Sequence, residues 1–207
     1  PNVTINQATT ETVGSCNFTG YRDPIGVAGF SYRVTFSEAI NTSSFTTADI
    51  TNTGTGGATT LTWSLTNCGD DKNYKLTASA ITGSGTIVPQ ITANKVQDVL
   101  GNNNSASTST DNSVTYDITT PTVVINQATT ETVGTCSFAA ATDPTNTAGF
   151  SYKVTFSKAI DTSSFTLADI TNAGTGGATG LIWTVVNCGD DKNFQLTANT
   201  IVGDGTI

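Results

Sequence analysis

Gly29-Phe30-Ser31-Tyr32-Arg33-Val34-Thr35-Phe36-Ser37 alternates apolar and polar residues without a break, and Gly149-Phe150-Ser151-Tyr152-Lys153-Val154-Thr155-Phe156-Ser157 repeats it 120 residues later. Successive side chains of an extended chain point to opposite faces, so this pattern predicts a strand with Phe30, Tyr32, Val34 and Phe36 inward and Ser31, Arg33, Thr35 and Ser37 outward. The one difference between the two runs, Arg33 to Lys153, falls in the polar row and keeps the positive charge. The same offset extends on both sides: residues 1–87 align with 121–207 without a gap, and 60 of the 87 positions are identical. A repeat this close predicts two tandem modules, residues 1–120 and 121–207, joined by a linker over 117–121. The second copy has no counterpart of residues 88–120.

Other alternating runs follow the first. Val3 and Ile5 form one, Leu61, Trp63 and Leu65 a second, and Tyr74, Leu76 and Ala78 a third. Ile87, Pro89 and Ile91 give a further strand, Val114-Thr115-Tyr116 closes the module, and a shorter piece is expected over 45–51. Gly54-Thr55-Gly56-Gly57 and Cys68-Gly69-Asp70-Asp71-Lys72-Asn73 supply turns between them. Ser and Thr number 60 of 207 residues, the apolar fraction is 36%, and no stretch keeps a helical period, so the sheet faces are well solvated. The expectation is an all-β chain of two immunoglobulin-like β-sandwich domains, about seven strands each, with the second lacking its C-terminal strands. The linker Asp117-Ile118-Thr119-Thr120-Pro121 is short and β-branched and ends in Pro, which limits bending between modules.

Cysteine use sets the compartment. Cys16 and Cys68 recur as Cys136 and Cys188 with the same separation of 52. One pair per module predicts an intradomain disulfide between distant strands and an oxidising, extracellular setting. The plainer alternative is a pair of buried free thiols. Trp63 is expected to pack beside the disulfide, as the core tryptophan of antibody domains does.

Charge and composition narrow the function. The formal charge is −8 with only 8 Lys and Arg, which argues against nucleic acid and anionic membrane surfaces as partners. No apolar run is long enough to span a bilayer, so no membrane insertion is expected in this segment. The absence of His removes His-assisted nucleophiles, and the adjacent pairs Asp70-Asp71 and Asp190-Asp191 lie in polar turns without the divergent environments that acid–base chemistry needs. The chain is therefore read as a non-enzyme without a cofactor. Calcium is the chemical alternative, with Asp23, Asp143, Asp117 and the two Asp-Asp turns as candidate ligands, although no DxDxDG-type loop is present. The Asn2, Asn17, Asn41 and Asn103 sequons fit chance occurrence in a Ser/Thr-rich chain, since copy two lacks the first three.

The module ends carry a resemblance. Thr120-Pro121-Thr122-Val123-Val124-Ile125-Asn126-Gln127-Ala128 opens a module, with Asp143-Pro144 and Val154-Thr155-Phe156-Ser157 following. Val96-Gln97-Asp98-Val99-Leu100-Gly101-Asn102 and Ser113-Val114-Thr115-Tyr116-Asp117 end one. Together these resemble the bacterial immunoglobulin-like (Big) repeats of long cell-surface and adhesin-type proteins. The resemblance implies a β-sandwich array outside the cell acting as a fibre, stalk or filament, with neighbouring repeats and self-association as the partners. Two alternatives stand beside it. One is an adhesin segment binding glycan or protein, for which Tyr21 and Arg22 are the only hint. The other is a subunit that polymerises by strand donation. The segment 17–27 holds eight of the 27 differences between copies and is read as an unconstrained loop. The absence of Met and the start at Pro1 lead to the expectation of a piece of a longer polypeptide. The unmatched end of copy two is expected to be completed by the continuing chain, by another subunit, or not at all.

Overall fold

The computed structural model describes all residues from Pro1 to Ile207 and divides them into two compact units, Pro1–Thr119 and Thr120–Ile207. Both are built from short antiparallel strands, with helical structure confined to three-residue 3-10 turns. No helix is long and apolar enough to cross a membrane.

Unit 1 holds ten strands: β1 (Val3–Gln7), β2 (Glu11–Val13), β3 (Cys16–Phe18), β4 (Ser31–Phe36), β5 (Ile50–Asn52), β6 (Thr62–Asn67), β7 (Asn73–Ser79), β8 (Gly85–Ile87), β9 (Pro89–Ile91) and β10 (Val114–Tyr116). The main sheet runs β1-β4-β7-β6, and three two-strand ladders, β2-β3, β5-β9 and β8-β10, surround it. The inward row of β4 lands as read, with Tyr32, Val34 and Phe36 fully buried and Arg33 and Thr35 half-buried, but Ser31 of the expected outward row is buried too, where its hydroxyl meets that of Thr77. Their register places Tyr32 beside Leu76 and Val34 beside Tyr74. One core joins Val3, Ile5, Tyr32, Val34, Phe36 and Leu76 of the main sheet to Ile50, Ile87, Ile91, Val114 and Tyr116 of the outer ladders and to Val96 between β9 and β10. Edge-to-face aromatic pairs, Phe36–Tyr74 at 6.0 Å and Phe45–Tyr74 at 5.1 Å, fill its centre.

The strand count departs from the seven expected. The run 85–91 is two strands, because β8 pairs with β10 while β9 pairs with β5. Much of the segment 45–51 goes into a capped 3-10 turn before β5, where Thr46 and Asp49 satisfy each other's backbone. The β2-β3 hairpin is too short for alternation to register.

Unit 2 holds six strands: β11 (Val123–Gln127), β12 (Glu131–Val133), β13 (Cys136–Phe138), β14 (Phe150–Phe156), β15 (Thr179–Asn187) and β16 (Asn193–Val202). Its sheet β11-β14-β16-β15 reproduces the order of unit 1 and the β11-β14 register, with Ile125 beside Val154 as Ile5 lies beside Val34, while an irregularity at the start of β15 sets Ile182 beside Thr200 where Thr62 lies beside Ser79. Its core is thinner than the sequence suggests. Val154, Phe194 and Leu196 form its enclosed cluster, and Tyr152, Phe156, Ile160 and Trp183 are half-buried around them. Val3 and Ile5 of β1 are 1% and 0% exposed; Val123 and Ile125 of β11 are both 50% exposed. The sheet alone does not seal its apolar face.

Candidate functional site

Two features have the form of sites: a hairpin anchored alike in both units, and an apolar groove in unit 2. In the hairpin, Gly14 turns β2 into β3 with φ +54°. A Cβ there would collide with the Cys68 carbonyl, so the left-handed turn and the close approach both call for glycine. The Ser15 amide donates to the Cys68 carbonyl at 2.8 Å, and Cys16 is disulfide-bonded to Cys68 with the Cα atoms 5.0 Å apart. Arg33 on β4 pairs with Glu11 at 3.0 Å, and Lys75 Nζ donates to the Asn17 carbonyl at 2.7 Å. Unit 2 rebuilds the set with different side chains. Cys136 is bonded to Cys188, Lys153 pairs with Glu131 at 3.2 Å, and Gln195 Nε2 takes over the bond to the Ser137 carbonyl at 2.9 Å. The substitutions Arg33 to Lys153 and Lys75 to Gln195 thus keep the hairpin fastened.

The disulfide does not staple the main core. Cys16 and Cys68 form a separate small cluster with Ala8 and Phe18, backed by Val13. Trp63, expected beside the disulfide, instead packs against Tyr32 in the main core with ring centroids 6.0 Å apart. The reason is the position of Cys68, just past the end of β6 on a turn that faces the hairpin. No cysteine is free.

The carboxylates considered for calcium serve as turn acceptors. Asp70 accepts from the Lys72 and Asn73 amides at 3.0 and 2.7 Å and from Asn73 Nδ2. Burial pushes this carboxyl up, but the Asn73 and Lys72 bonds outweigh it and hold Asp70 below the usual Asp value. Asp190 is held low by the equivalent bonds, led by the Asn193 amide. Asp71 accepts from Asn67 Nδ2 at 2.7 Å, and Asp191 from Asn187 likewise. Asp23 accepts from the Thr115 amide at 2.9 Å, and Asp117 accepts from the Thr119 amide at 2.9 Å. Asp143 lies at the open end of the groove described below. Nowhere do three or more Asp, Glu or Cys side chains gather into a ligand set.

Segment 17–27 is tied to the end of its own module. Tyr21 packs on Phe30 at 5.1 Å, the Ile25 amide donates to the Thr115 carbonyl at 2.9 Å, and the Asp117 amide donates back to Ile25. This corrects the reading of an unconstrained loop, and it turns Tyr21 into the core rather than toward a ligand. The same segment varies in unit 2, where Ala141 and Thr145 replace Tyr21 and Ile25 and no β10 lies against them. Tyr21 and Ile25 are two apolar residues in a polar loop, a signal that the sequence carried.

The groove lies on the face of unit 2 where β9 and β10 lie in unit 1. A cavity of about 420 Å³ is lined by Ile125, Tyr152, Ile170, Trp183, Leu196 and Ile207 among others. A second, of about 440 Å³, is lined by Phe150, Asp143, Thr145, Gly205 and Thr206 among others. Tyr152 donates to the Ile207 carbonyl at 3.0 Å, as Tyr32 does to Ile87 at 3.2 Å, so the groove walls keep the arrangement of unit 1.

Comparison with protein-family models, with curated proteins and with solved structures finds no match to this chain.

Proposed function

We propose that this chain is a structural segment of an extracellular fibre or stalk, made of tandem immunoglobulin-like β-sandwich modules, each fastened by one disulfide. The observation that carries the reading is the rebuilding of one hairpin anchor twice. The disulfide, the ion pair and the side-chain bond to the hairpin recur 120 residues apart with changed residues and preserved contacts. Repetition of a fastening, without a gathered set of reactive groups, is what a load-bearing array needs. Two disulfides and no free thiol fit an oxidising compartment. The resemblance of the module ends to bacterial immunoglobulin-like repeats points the same way.

The mechanism is mechanical. A disulfide across 52 residues keeps that loop from extending when the module is pulled. Its reduction should release about 180 Å of contour per module, at roughly 3.5 Å per residue. Single-molecule stretching of the chain with and without reductant measures this directly. Antibody labelling of intact source cells tests the location: surface filaments are expected, and confinement to the cytosol overturns the proposal. Neighbouring repeats are the partners it implies, and neither nucleic acid nor a cofactor is part of it.

A further inference from the structure

We propose that the hairpin of each unit is a redox gate over its own disulfide, which a dithiol reductant reaches only when the hairpin lifts from the sheet. Cys16 and Cys68 are 4% and 1% exposed, and Cys136 and Cys188 2% and 0%. The first pair is packed by Ala8, Phe18 and Val13, and the second by Ala128, Phe138 and Val133. Val13 and Phe18 lie on β2 and β3, so most of the seal moves with the hairpin. Exchange begins with a thiolate of the reductant touching a cysteine sulfur. The S–S bond breaks and the other cysteine leaves as a thiolate. The second thiol of the reductant then displaces the first and closes the reductant's own disulfide. Two electrons pass to the cysteine pair, and two protons complete its thiols. None of these steps can start while Val13 and Phe18 cover the sulfurs.

The hairpin is built to move as one piece. β2 and β3 pair with each other and with no strand of the main sheet, and Thr12 Oγ1 donates to Asn17 Oδ1 at 2.9 Å across them. Besides the disulfide and the Ser15 bond to the Cys68 carbonyl, two side chains of the sheet latch it. Arg33 of β4 and Lys75 of β7 sit directly opposite each other in register. Like charges in that position repel, and the hairpin relieves the pair by placing Glu11 on Arg33 and the Asn17 carbonyl on Lys75. Lys75 Nζ also stands 5.7 Å from the centre of the Phe18 ring, the residue that covers the sulfurs. Lifting the hairpin therefore breaks both latches and restores the repulsion, which opposes opening. Unit 2 keeps the gate with one cation fewer. Lys153 lies opposite the neutral Gln195, and these hold Glu131 and the Ser137 carbonyl. The seal and its latches lie outside the main core in both units, so the gate opens without dismantling that core.

The proposal goes beyond the fibre reading and does not depend on it. The test incubates the 207-residue chain with dithiothreitol, quenches by alkylation, and follows the peptides bearing Cys16 and Cys68 by mass spectrometry. It is read in unit 1, whose core is closed. Without denaturant, Cys16–Cys68 should be reduced at least about tenfold more slowly than in the denatured chain. Lys75→Ala should speed reduction at least about threefold, and Glu11→Gln, which loosens the latch from the hairpin side, should speed it as well. Lys75→Gln installs the donor that unit 2 uses and should restore the slow rate. Low denaturant should change the rate little, because lifting a hairpin exposes little surface. A native rate equal to the denatured one overturns the proposal. So do latch variants that reduce no faster than the parent chain. So does a rate that climbs with denaturant as steeply as the unfolding of unit 1, followed by Trp63 emission in a Trp183→Phe background, since unfolding of the whole unit would then be the gate. None of these outcomes bears on surface location, so failure here is distinguishable from failure of the fibre reading.

Discussion

Ile5 and Ile125 occupy the same register of the same strand, and truncating each to Ala measures what the cover of unit 1 contributes. Ile5 is fully buried beneath the chain that follows β9, whereas Ile125 is 50% exposed. At Ile5 the change removes buried methyl groups and leaves a cavity in a packed core, which costs about 3–4 kcal/mol. At Ile125 half the surface is already in water and the open groove leaves no enclosed void, so the cost falls to about 1 kcal/mol. Each unit contains one tryptophan packed on a core tyrosine, Trp63 on Tyr32 and Trp183 on Tyr152. Denaturant titration in Trp183→Phe and Trp63→Phe backgrounds therefore reports the two units separately. Equal losses at the two positions would refute the reasoning, because they would mean that β11 is as well covered in solution as β1.

Replacing both Cys16 and Cys68 with Ser should cost unit 1 roughly 4 kcal/mol in the chain-entropy account of a loop of this length, read from the Trp63 denaturation midpoint; a loss under 1 kcal/mol would show that the hairpin contacts suffice. Gly14→Ala should destabilise by more than the ~1 kcal/mol of a left-handed Ala, because its Cβ meets the Cys68 carbonyl, and Gly134→Ala should match it in unit 2. Glu11→Gln removes a one-third-exposed ion pair with Arg33 and should change stability by less than about 1 kcal/mol, with the effect fading in high salt. Asp70 and Asp190 are held below their unfolded pKa, so their contribution is fully present above the ordinary Asp range and is lost as pH falls through the folded value. Asp70→Asn with Asp190→Asn should lower stability at neutral pH and flatten its decline below about pH 4, measured by thermal unfolding across acid pH.

The hairpin shows where local reading fails. Glu11-Thr12-Val13 and Cys16-Asn17-Phe18 are three-residue strands, too short for a period to declare itself. Their place is fixed by contacts from residues far along the chain, Arg33, Cys68 and Lys75. Trp63 departs from the antibody-domain analogy for a related reason: its ring packs on Tyr32 in the main core, while Cys68 joins the separate hairpin cluster.

The sequence alone determined the repeat, the cysteine pairing unit and the inward rows of the long strands, because alternation over six residues and a gapless alignment over 87 are local or one-dimensional properties. What only the tertiary structure decided is visible in one tripeptide. Ile50-Thr51-Asn52 is strand β5, yet the identical Ile170-Thr171-Asn172 forms no strand. The difference is the partner: β9 lies against the first, and no counterpart lies against the second. A strand this short has too few bonds of its own to hold an extended backbone. The ladder and the apolar cover supplied by residues 88–116 decide whether it exists, and whether the face it borders is a core or a groove.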